Sequence, residues 1–584
     1  MDKRCSSSVN LTPSGDLQAL DSGELYLMML QSSSSNLFFL FVLLAQSYST
    51  PVQKVLEIHT KPRQLQGRFL QITDLHPDTF YLPGTSTSKA CHRKIPKDKK
   101  KRAGYYGTPY SECDSPLTLT NYTLDFLEEH WADDIDFVIC DNARHENDRK
   151  IPRTTNEIYE SNVSLARRMN KIFTSRGIPV IPSLGNNDVY PHNILAPGPN
   201  SITNEFSKIW QSFIPFPYHR IFKRGAYFAV EVVPNALAVI SLNTLYFYDA
   251  NDAVSGCDYT GSDDPGNLQF AWLEEQLKSY RKRGMQVWVT GHVPPSNYFP
   301  ECYVQYAELA LRFQDTIVGH LYGHRNADHF FFIEAKNLEI GNNFTGASEH
   351  NDLFDSLLDD FAQIPKSKQT DFHEYAVINV SPPVVPNPYL PTFRIFTYNI
   401  TGVEDALADG SSIRQMNTID TQTEELPSQY RRRPRDKSSQ CEGGVHSNSW
   451  KCQLLFDPPE NADGPSHTSR SWTPLGYAQY FIPHLKDADK SHHPPRYRLE
   501  YTTLPASALL PGKGQNKTEF RYPIPLRNLP KSVRKGKMKK KYFPYGMQDL
   551  TIGSWLELAR RLGNTKEKEL RKKFRQYMYL GGTE

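Results

Sequence analysis

At 584 residues the chain is longer than one ordinary hydrophobic core supports, yet no internal repeat is visible. Its net charge of +3 and isoelectric point near 8.2 are unremarkable. They exclude a uniformly basic or acidic chain and leave any polyanion contact to local clusters of charge. No nucleic-acid-binding fold pattern is present, so specific nucleic-acid recognition is not expected.

Residues 1–60 are Ser-rich and carry one apolar run, Leu37–Ala45 (LFFLFVLLA). Its length suits a signal-peptide core better than a spanning helix, which needs about 20 residues. Ala45-Gln46-Ser47 offers a cleavage site. Extended back to Leu25, the run becomes long enough for a signal anchor, with a polar cytoplasmic tail ahead of it. The anchor is the favoured reading and a cleaved signal the alternative.

Residues 61–402 read as the catalytic domain. Within it, successive predicted strands each end in residue types that bind metal. Gly67–Thr73 leads to Asp74 and His76, and Asp136–Cys140 leads to Asp141. Ile178–Leu184 leads to Gly185-Asn186-Asn187-Asp188, and Val287–Thr290 leads to Gly291-His292. Thr316–Tyr322 leads to Gly323-His324-Arg325-Asn326. Short apolar runs bounded by Gly, Pro, Asn and Asp are strand signals. Lys89–Ser115 reads as a basic loop inserted between the first two motifs. Residues 403–450 read as a flexible linker or insertion. Residues 451–584 form a C-terminal extension that regains order. There Tyr497–Thr503 (YRLEYTT) alternates like an edge strand. Ile552, Trp555, Leu558, Ala559 and Leu562 recur at helical spacing, as a stripe that packs on the catalytic domain does.

The ordered set of motifs points to a dinuclear metal hydrolase acting on phosphorus. Phosphate esters and anhydrides carry negative charge that repels hydroxide. Two divalent cations about 4 Å apart bind the phosphate oxygens and make hydroxide available near neutral pH. Such a centre needs a bridging carboxylate, neutral imidazoles and carbonyl oxygens, on loops leaving the C-terminal edge of a sheet. Taken singly, each motif has a bland reading: Asp-x-His as a surface pair, Gly-Asn-Asn-Asp as a turn, Gly-His-Val-Pro-Pro as a strand end.

These segments resemble the calcineurin-like metallophosphoesterase superfamily, whose pattern runs D-x-H, G-D, G-N-H-[DE], G-H and G-H-x-H. The resemblance implies an α/β fold, a four-layer α/β/β/α sandwich, here with a C-terminal extension. It implies two divalent metal ions, drawn from Mn, Mg, Co and Zn. Asp74 and His76 would hold the first, Asp141 would bridge, and Asn186, His292 and His324 would hold the second. Asn326 falls at the last first-metal position, with Asp328 or His329 as alternatives. Three positions depart from the pattern: Cys140 replaces Gly, Asn187 replaces a His that serves as general acid or phosphate contact, and Asn326 replaces His.

Within the superfamily, the runs LGNNDVYPHN (184–193), DNARHENDR (141–149), GHVPP (291–295), GHRNADHF (323–330), IPKDKKKRAGYYG (95–107) and LTIGSWLELARR (550–561) resemble fungal vacuolar endopolyphosphatases. That branch is related to the acid sphingomyelinases, and the likeness spans roughly residues 60–580. It implies metal-dependent cleavage of internal phosphoanhydride bonds in long-chain inorganic polyphosphate, giving shorter chains. It also implies a single-pass type II protein of the vacuole membrane with a lumenal catalytic domain; vacuole-lumen or secreted forms after cleavage are the alternative. Homo-oligomerisation stays open.

Chemistry agrees with an anhydride substrate. An alkoxide leaving group needs a proton, whereas a polyphosphate leaving group is the anion of an acid with a pKa near roughly 6. Asn187 in place of His therefore suits anhydrides better than esters. His145, paired with Arg144 after the bridging Asp141, and His192 are candidate proton donors or charge neutralisers. His320, His329, His145 and His192 each have an equal reading as hydrogen-bonded structural histidines. Two other functions compete. One is a phosphodiesterase of the acid sphingomyelinase type. The other is a catalytically weak polyanion-binding protein, prompted by Asn187 and Asn326.

A polyphosphate chain needs cationic stripes. Lys97, Lys99, Lys100, Lys101 and Arg102 in the first insertion, and Lys539, Lys540 and Lys541 near the end, are the candidate substrate contacts; a solvated face is the plain alternative. Sequons stand at Asn121, Asn162, Asn343, Asn379, Asn399 and Asn516, all beyond the apolar run, as in a lumenal chain. Cysteine connectivity is not deducible from sequence. The pairing expected is Cys91–Cys113, Cys257–Cys302 and Cys441–Cys452, with Cys140 left as a buried thiol.

Overall fold

In the computed structural model each of the five predicted strands forms. The residues described are 64–142, 150–261, 263–341, 352–403, 441, 447–454, 463–488, 493–512, 515–517 and 520–582. The apolar run at 37–45, Arg144, His145, Asn343 and most of 403–450 lie outside them. In chain order the strands are β1 (Arg68–Ile72), β2 (Pro77–Asp78), β3 (Ser115–Pro116), β4 (Phe137–Asn142), β5 (Val180–Leu184), β6 (Phe228–Val233) and β7 (Leu237–Ser241). They continue with β8 (Gln286–Thr290), β9 (Ile317–Tyr322), β10 (His329–Glu334), β11 (Tyr375–Val380), β12 (Thr392–Tyr398), β13 (Pro474–Phe481) and β14 (Arg498–Thr502).

Two six-stranded sheets result, ordered β14-β13-β12-β1-β4-β5 and β10-β11-β9-β8-β7-β6. β1, β4 and β5 run parallel, as do β7, β8, β9 and β11. Parallel neighbours need crossovers, and helices supply them. Helix α1 (Leu117–His130) links β1 to β4, and α2 (Thr155–Ile172) links β4 to β5. Helices α3 (Pro265–Lys282) and α4 (Pro300–Arg312) carry the chain from β7 through β8 to β9. The start of α2 is set by a capping box between Thr154 and Glu157, and that of α3 by Asp264, which accepts from the Gly266 and Asn267 amides.

The sheets meet through side chains. Phe69 of β1 lies edge-on to Trp288 of β8 at 4.9 Å between centroids, and Trp288 meets Phe396 of β12 at 5.9 Å. Ser183 Oγ and Ser241 Oγ are hydrogen-bonded across the gap at 2.9 Å. Every residue of β1, β5, β8 and β11 is buried, as strands covered on both faces are.

The C-terminal extension is built into this body: Gln64–Glu584 clusters as one unit, because β13 and β14 complete the first sheet. The edge strand expected at 497–503 is β14, and the expected helical stripe lies on Ile552–Gly563, with Ile552, Trp555, Leu558, Ala559 and Leu562 all buried. This helix packs on Leu353–Ala362 so closely that a Cβ at Gly563 would lie 2.6 Å from the Ala362 nitrogen. The three expected disulfides are present and Cys140 is free and buried.

Two expected glycan acceptors are corrected. Asn162 is buried, its amide spent on the Ile158 carbonyl and Asp188 Oδ1, and Asn379 is buried inside β11 between β10 and β9. A bulky glycan needs surface. Asn121 and Asn516 are exposed and Asn399 is half-buried. Among the described residues no helix is long and apolar enough to cross a membrane.

Candidate metal centre

The loops after β1, β5, β8 and β9, together with the C-terminal end of β4, bring their polar residues to one place. Asp74 and Asp141 are locked together, the Asp74 amide donating to Asp141 Oδ1 at 2.5 Å. Asp74 Oδ1 lies 3.2 Å from His76 Nε2, and Asp74 Oδ2 accepts from the His324 amide at 3.1 Å. Asp141 Oδ2 lies 3.2 Å from His292 Nδ1. His292 Nε2 is 2.8 Å from Asn186 Oδ1 and 3.3 Å from His324 Nδ1. Ligand atoms of Asp74, Asp141 and His292 all lie within 4.8 Å of one another, and all three residues are buried. The structure thus unites Asp74, His76, Asp141, Asn186, His292 and His324 from four loops and the end of β4.

Local backbone geometry makes this convergence. Asp74, His76, His324 and Asn326 all hold positive φ, from 44° to 68°. Non-glycine residues in the left-handed region cost about 1–3 kcal/mol each and concentrate at functional sites. Gly323 supplies the space: a Cβ there would lie 2.8 Å from Asp74 Oδ2 and 3.0 Å from Asp141 Oδ2.

The donor set fits divalent cations. Among the described residues, two carboxylates, three imidazoles and amide oxygens face one another here. Asn326 Oδ1 and Asn187 Oδ1 are buried without a hydrogen-bond partner among the described residues. Asn186 Nδ2 donates to Asn193 Oδ1 at 2.9 Å, which leaves its oxygen turned to His292. Asn326 thus keeps a buried side-chain oxygen uncommitted among the described residues. Asp328 and one His329 nitrogen are already committed elsewhere. Asp328 is engaged by Arg394, Gln479 and Tyr501, and His329 Nδ1 faces the Ala327 carbonyl at 2.9 Å.

Proton affinities in the metal-free chain are shifted by this clustering. Burial pushes the Asp74 carboxyl up, but His292, His76 and His324 outweigh it and hold it well below the usual range. Burial and the Asp74 charge push Asp141 up, against the pull of His292. Burial opposes protonation of His76, yet Asp114 and Asp74 raise it to about 9. Metal binding needs the imidazoles neutral, so cations and protons compete for this site.

A supporting layer was only partly visible in the sequence. Asp188, inside the Gly-Asn-Asn-Asp motif, accepts from the Gly185 amide and from Asn162, and burial raises its carboxyl to about 7. Buried Arg153 donates to the Asn187 and Val189 carbonyls and so holds that loop. Asp114 Oδ1 stands 3.5 Å from His76 Nδ1. No motif marked Arg153; Asp114 was marked only by its neighbour Cys113. His192 Nε2 lies 3.1 Å from Asn186 Nδ2, beside the centre. His320 is structural: buried, bonded to Tyr306 Oη at 2.7 Å and lowered by burial to about 3.

Lys97, Lys99, Lys100 and Lys101 are exposed on a turn capped by Asp98, while Arg102 is half-buried with Nε on the Pro96 carbonyl. This loop is closed by Cys91–Cys113, and its end is tied to the centre, the Ser115 amide donating to the His76 carbonyl at 3.0 Å. Lys539, Lys540 and Lys541 are also exposed.

An α/β fold with a buried carboxylate–imidazole–amide cluster at its strand ends defines a protein with a site suited to divalent cations. Curated proteins called endopolyphosphatase are similar along nearly the whole length. The Cryptococcus neoformans protein is 40% identical, covering 89% of this chain and 92% of its own. The Schizosaccharomyces pombe protein is 32% identical (88% and 86%), and that of Saccharomyces cerevisiae 30% (87% and 84%). No protein-family profile matches the chain. The chain belongs to the endopolyphosphatase family.

Proposed function

We propose that this chain hydrolyses internal phosphoanhydride bonds of long-chain inorganic polyphosphate, with two divalent cations in the centre. The observation that carries the reading is the buried Asp74–Asp141–His292 cluster, found in a chain 30–40% identical over most of its length to proteins bearing the endopolyphosphatase name. The two contacting sheets and their crossover helices fit an α/β/β/α sandwich.

Asp74, His76, Asn326 and a shared Asp141 would hold one cation; Asp141, Asn186, His292 and His324 would hold the other. Bound divalent cations neutralise phosphate charge and activate water for attack. The chain's own residues do the rest. Asp141 sits between both groups of ligands and sets their spacing. Asp114 places a carboxylate beside the outer nitrogen of His76, and Arg153 fixes the Asn187 loop. Asn187 contributes an amide where a proton donor is dispensable, since a polyphosphate fragment leaves as a stable anion. Arg144 and His145 follow Asp141 and are assigned to neutralising phosphate oxygens. Lys97, Lys99, Lys100 and Lys101, with Lys539, Lys540 and Lys541, are assigned to the flanking polyanion; Arg102 serves mainly to hold its turn. Sequons and disulfides suit a lumenal route, and the apolar run at 37–45, extended back to Leu25, is assigned as a vacuolar membrane anchor.

The test is a gel of long-chain polyphosphate incubated with chelator-treated protein, with Mn, Mg, Co or Zn restored, beside Asp141→Ala. Metal-dependent shortening to intermediate lengths, absent from the variant, is the expected result. Intact polymer under every metal rejects the proposal, and release of orthophosphate alone rejects internal cleavage.

A further inference from the structure

Among the described residues, a second group with metal-ligating side chains lies on loops that the centre does not use. His373 occupies a short turn ahead of β11, and Asp463 and His467 belong to the loop ahead of β13. Ligand atoms of the three lie within 4.8 Å of one another, and all three residues are half-buried. His373 Nε2 stands 3.1 Å from Asp463 Oδ1, and the two imidazole rings lie 4.5 Å apart between centroids. Two ligands on one tetrahedral zinc ion, each about 2.1 Å from it, stand about 3.4 Å apart. The His373–Asp463 spacing is already of that size.

The loop is held in place independently of any ion. Gly464 rests on the 314–315 backbone so closely that a Cβ would meet the Asp315 Cα at 2.7 Å. Ser466 Oγ donates to the Gln314 carbonyl at 2.8 Å. Gln314 also determines which nitrogen of His467 is available. Its amide Nε2 donates to the His373 and Tyr375 carbonyls at 3.2 and 2.8 Å, so its Oε1 is left as an acceptor. That oxygen lies 2.8 Å from His467 Nε2, which must carry the hydrogen. In neutral His467 the lone pair is then on Nδ1. On His373, Nδ1 is buried without a hydrogen-bond partner among the described residues. A ligating histidine whose other nitrogen donates to an oxygen acceptor is the usual orienting arrangement at metal sites. Asp371, which accepts from the His373 amide at 3.0 Å, adds a second nearby carboxylate. Arg470, donating to the Asp463 carbonyl, is the nearby positive charge opposing it.

We infer that His373, Asp463 and His467 form a zinc-binding clip that shares no residue with the catalytic centre and ties the loop entering β13 of the first sheet to the turn entering β11 of the second. Two imidazoles and one carboxylate are a donor set that zinc favours, with water as the fourth ligand. Its role is to hold the C-terminal extension to the rest of the body. The inference does not rest on the reaction assigned to the main centre.

The full chain is stripped with chelator and titrated with Zn2+ alone by equilibrium dialysis and elemental analysis, beside His373→Ala and His467→Gln. Each variant is expected to bind one zinc ion fewer per chain than the parent, and to lose part of the zinc-dependent rise in Tm. Its metal-free Tm and its activity on polyphosphate at saturating metal should match the parent. His373 is the more accessible of the two histidines, its side chain 38% exposed, so its replacement decides the matter if His467→Gln fails to fold. If His373→Ala binds as many zinc ions as the parent, the inference is overturned.

Discussion

Asp114 stands 3.5 Å from His76 Nδ1, one residue beyond a cysteine that closes the basic insertion. The other nitrogen of that ring faces Asp74 at 3.2 Å. A single imidazole thus lies between a ligand-type carboxylate and a second carboxylate at ion-pair distance; a carboxylate on the outer nitrogen of a ligating imidazole orients the ring and raises ligand basicity. Replacing Asp114 by Asn should lower metal affinity or activity about 10–100-fold. The measurement is the rate of polyphosphate cleavage against metal concentration. A shifted metal midpoint with a nearly unchanged thermal transition is expected, and an unchanged midpoint would remove Asp114 from this role.

Gly323 tests the tightness of the carboxylate pair. A methyl there collides with Asp74 Oδ2 at 2.8 Å and Asp141 Oδ2 at 3.0 Å. Displacing ligands by about 1 Å costs on the order of 100-fold in rate. Gly323→Ala should therefore lose about that much activity. Gly185→Ala meets His292 at 3.2 Å and should lose less. Rates of both variants at saturating metal check the order, and equal losses would contradict it.

The exposed lysines of the insertion offer a test by charge. If Lys99, Lys100 and Lys101 contact polyphosphate, replacing all three by Ala should raise KM for long chains and flatten the dependence of kcat/KM on salt. kcat should change little, because the 3-10 turn carrying them buries none of its residues. A KM and salt slope equal to the parent's would assign these lysines to a solvated face.

Glu500 gives a pH dependence away from the centre. Burial, with the Asp328 charge, raises its carboxyl well above the ordinary 4.5, against the Gln479 hydrogen bond and Arg394. Between 4.5 and that raised value the folded chain keeps a proton that the unfolded chain has lost. Stability therefore falls as pH rises through this window, since the folded state binds more protons there. Glu500→Gln keeps an acceptor for Gln479 and removes the ionisation. Its Tm should match the parent near pH 4 and exceed it at neutral pH. A difference that is constant with pH would show that Glu500 is ionised in the fold.

Strands, chemistry and family were legible because they are local or ordered along the chain. A run such as GRFLQIT, followed by Asp74 and His76, states both a strand and its ligands without reference to the rest of the fold. The same holds for the helical stripe at Ile552–Leu562, whose period alone declares a buried face.

What the chain order could not state is which distant groups share a site. Asn326 as a ligand candidate, rather than Asp328 or His329, follows from β10 pairing and from the Arg394–Gln479–Tyr501 network that engages Asp328. Asn162 and Asn379 carry the same local sequon as Asn121, and only burial separates them. Asp114, Arg153 and the pairing of His373 with Asp463 and His467 have no local signature, because these partners lie tens of residues apart in sequence. Local sequence thus determined the elements and the residue types at their ends. Tertiary packing alone decided which of those residues face one another, through hydrogen bonds and close contacts that no pattern of spacing encodes.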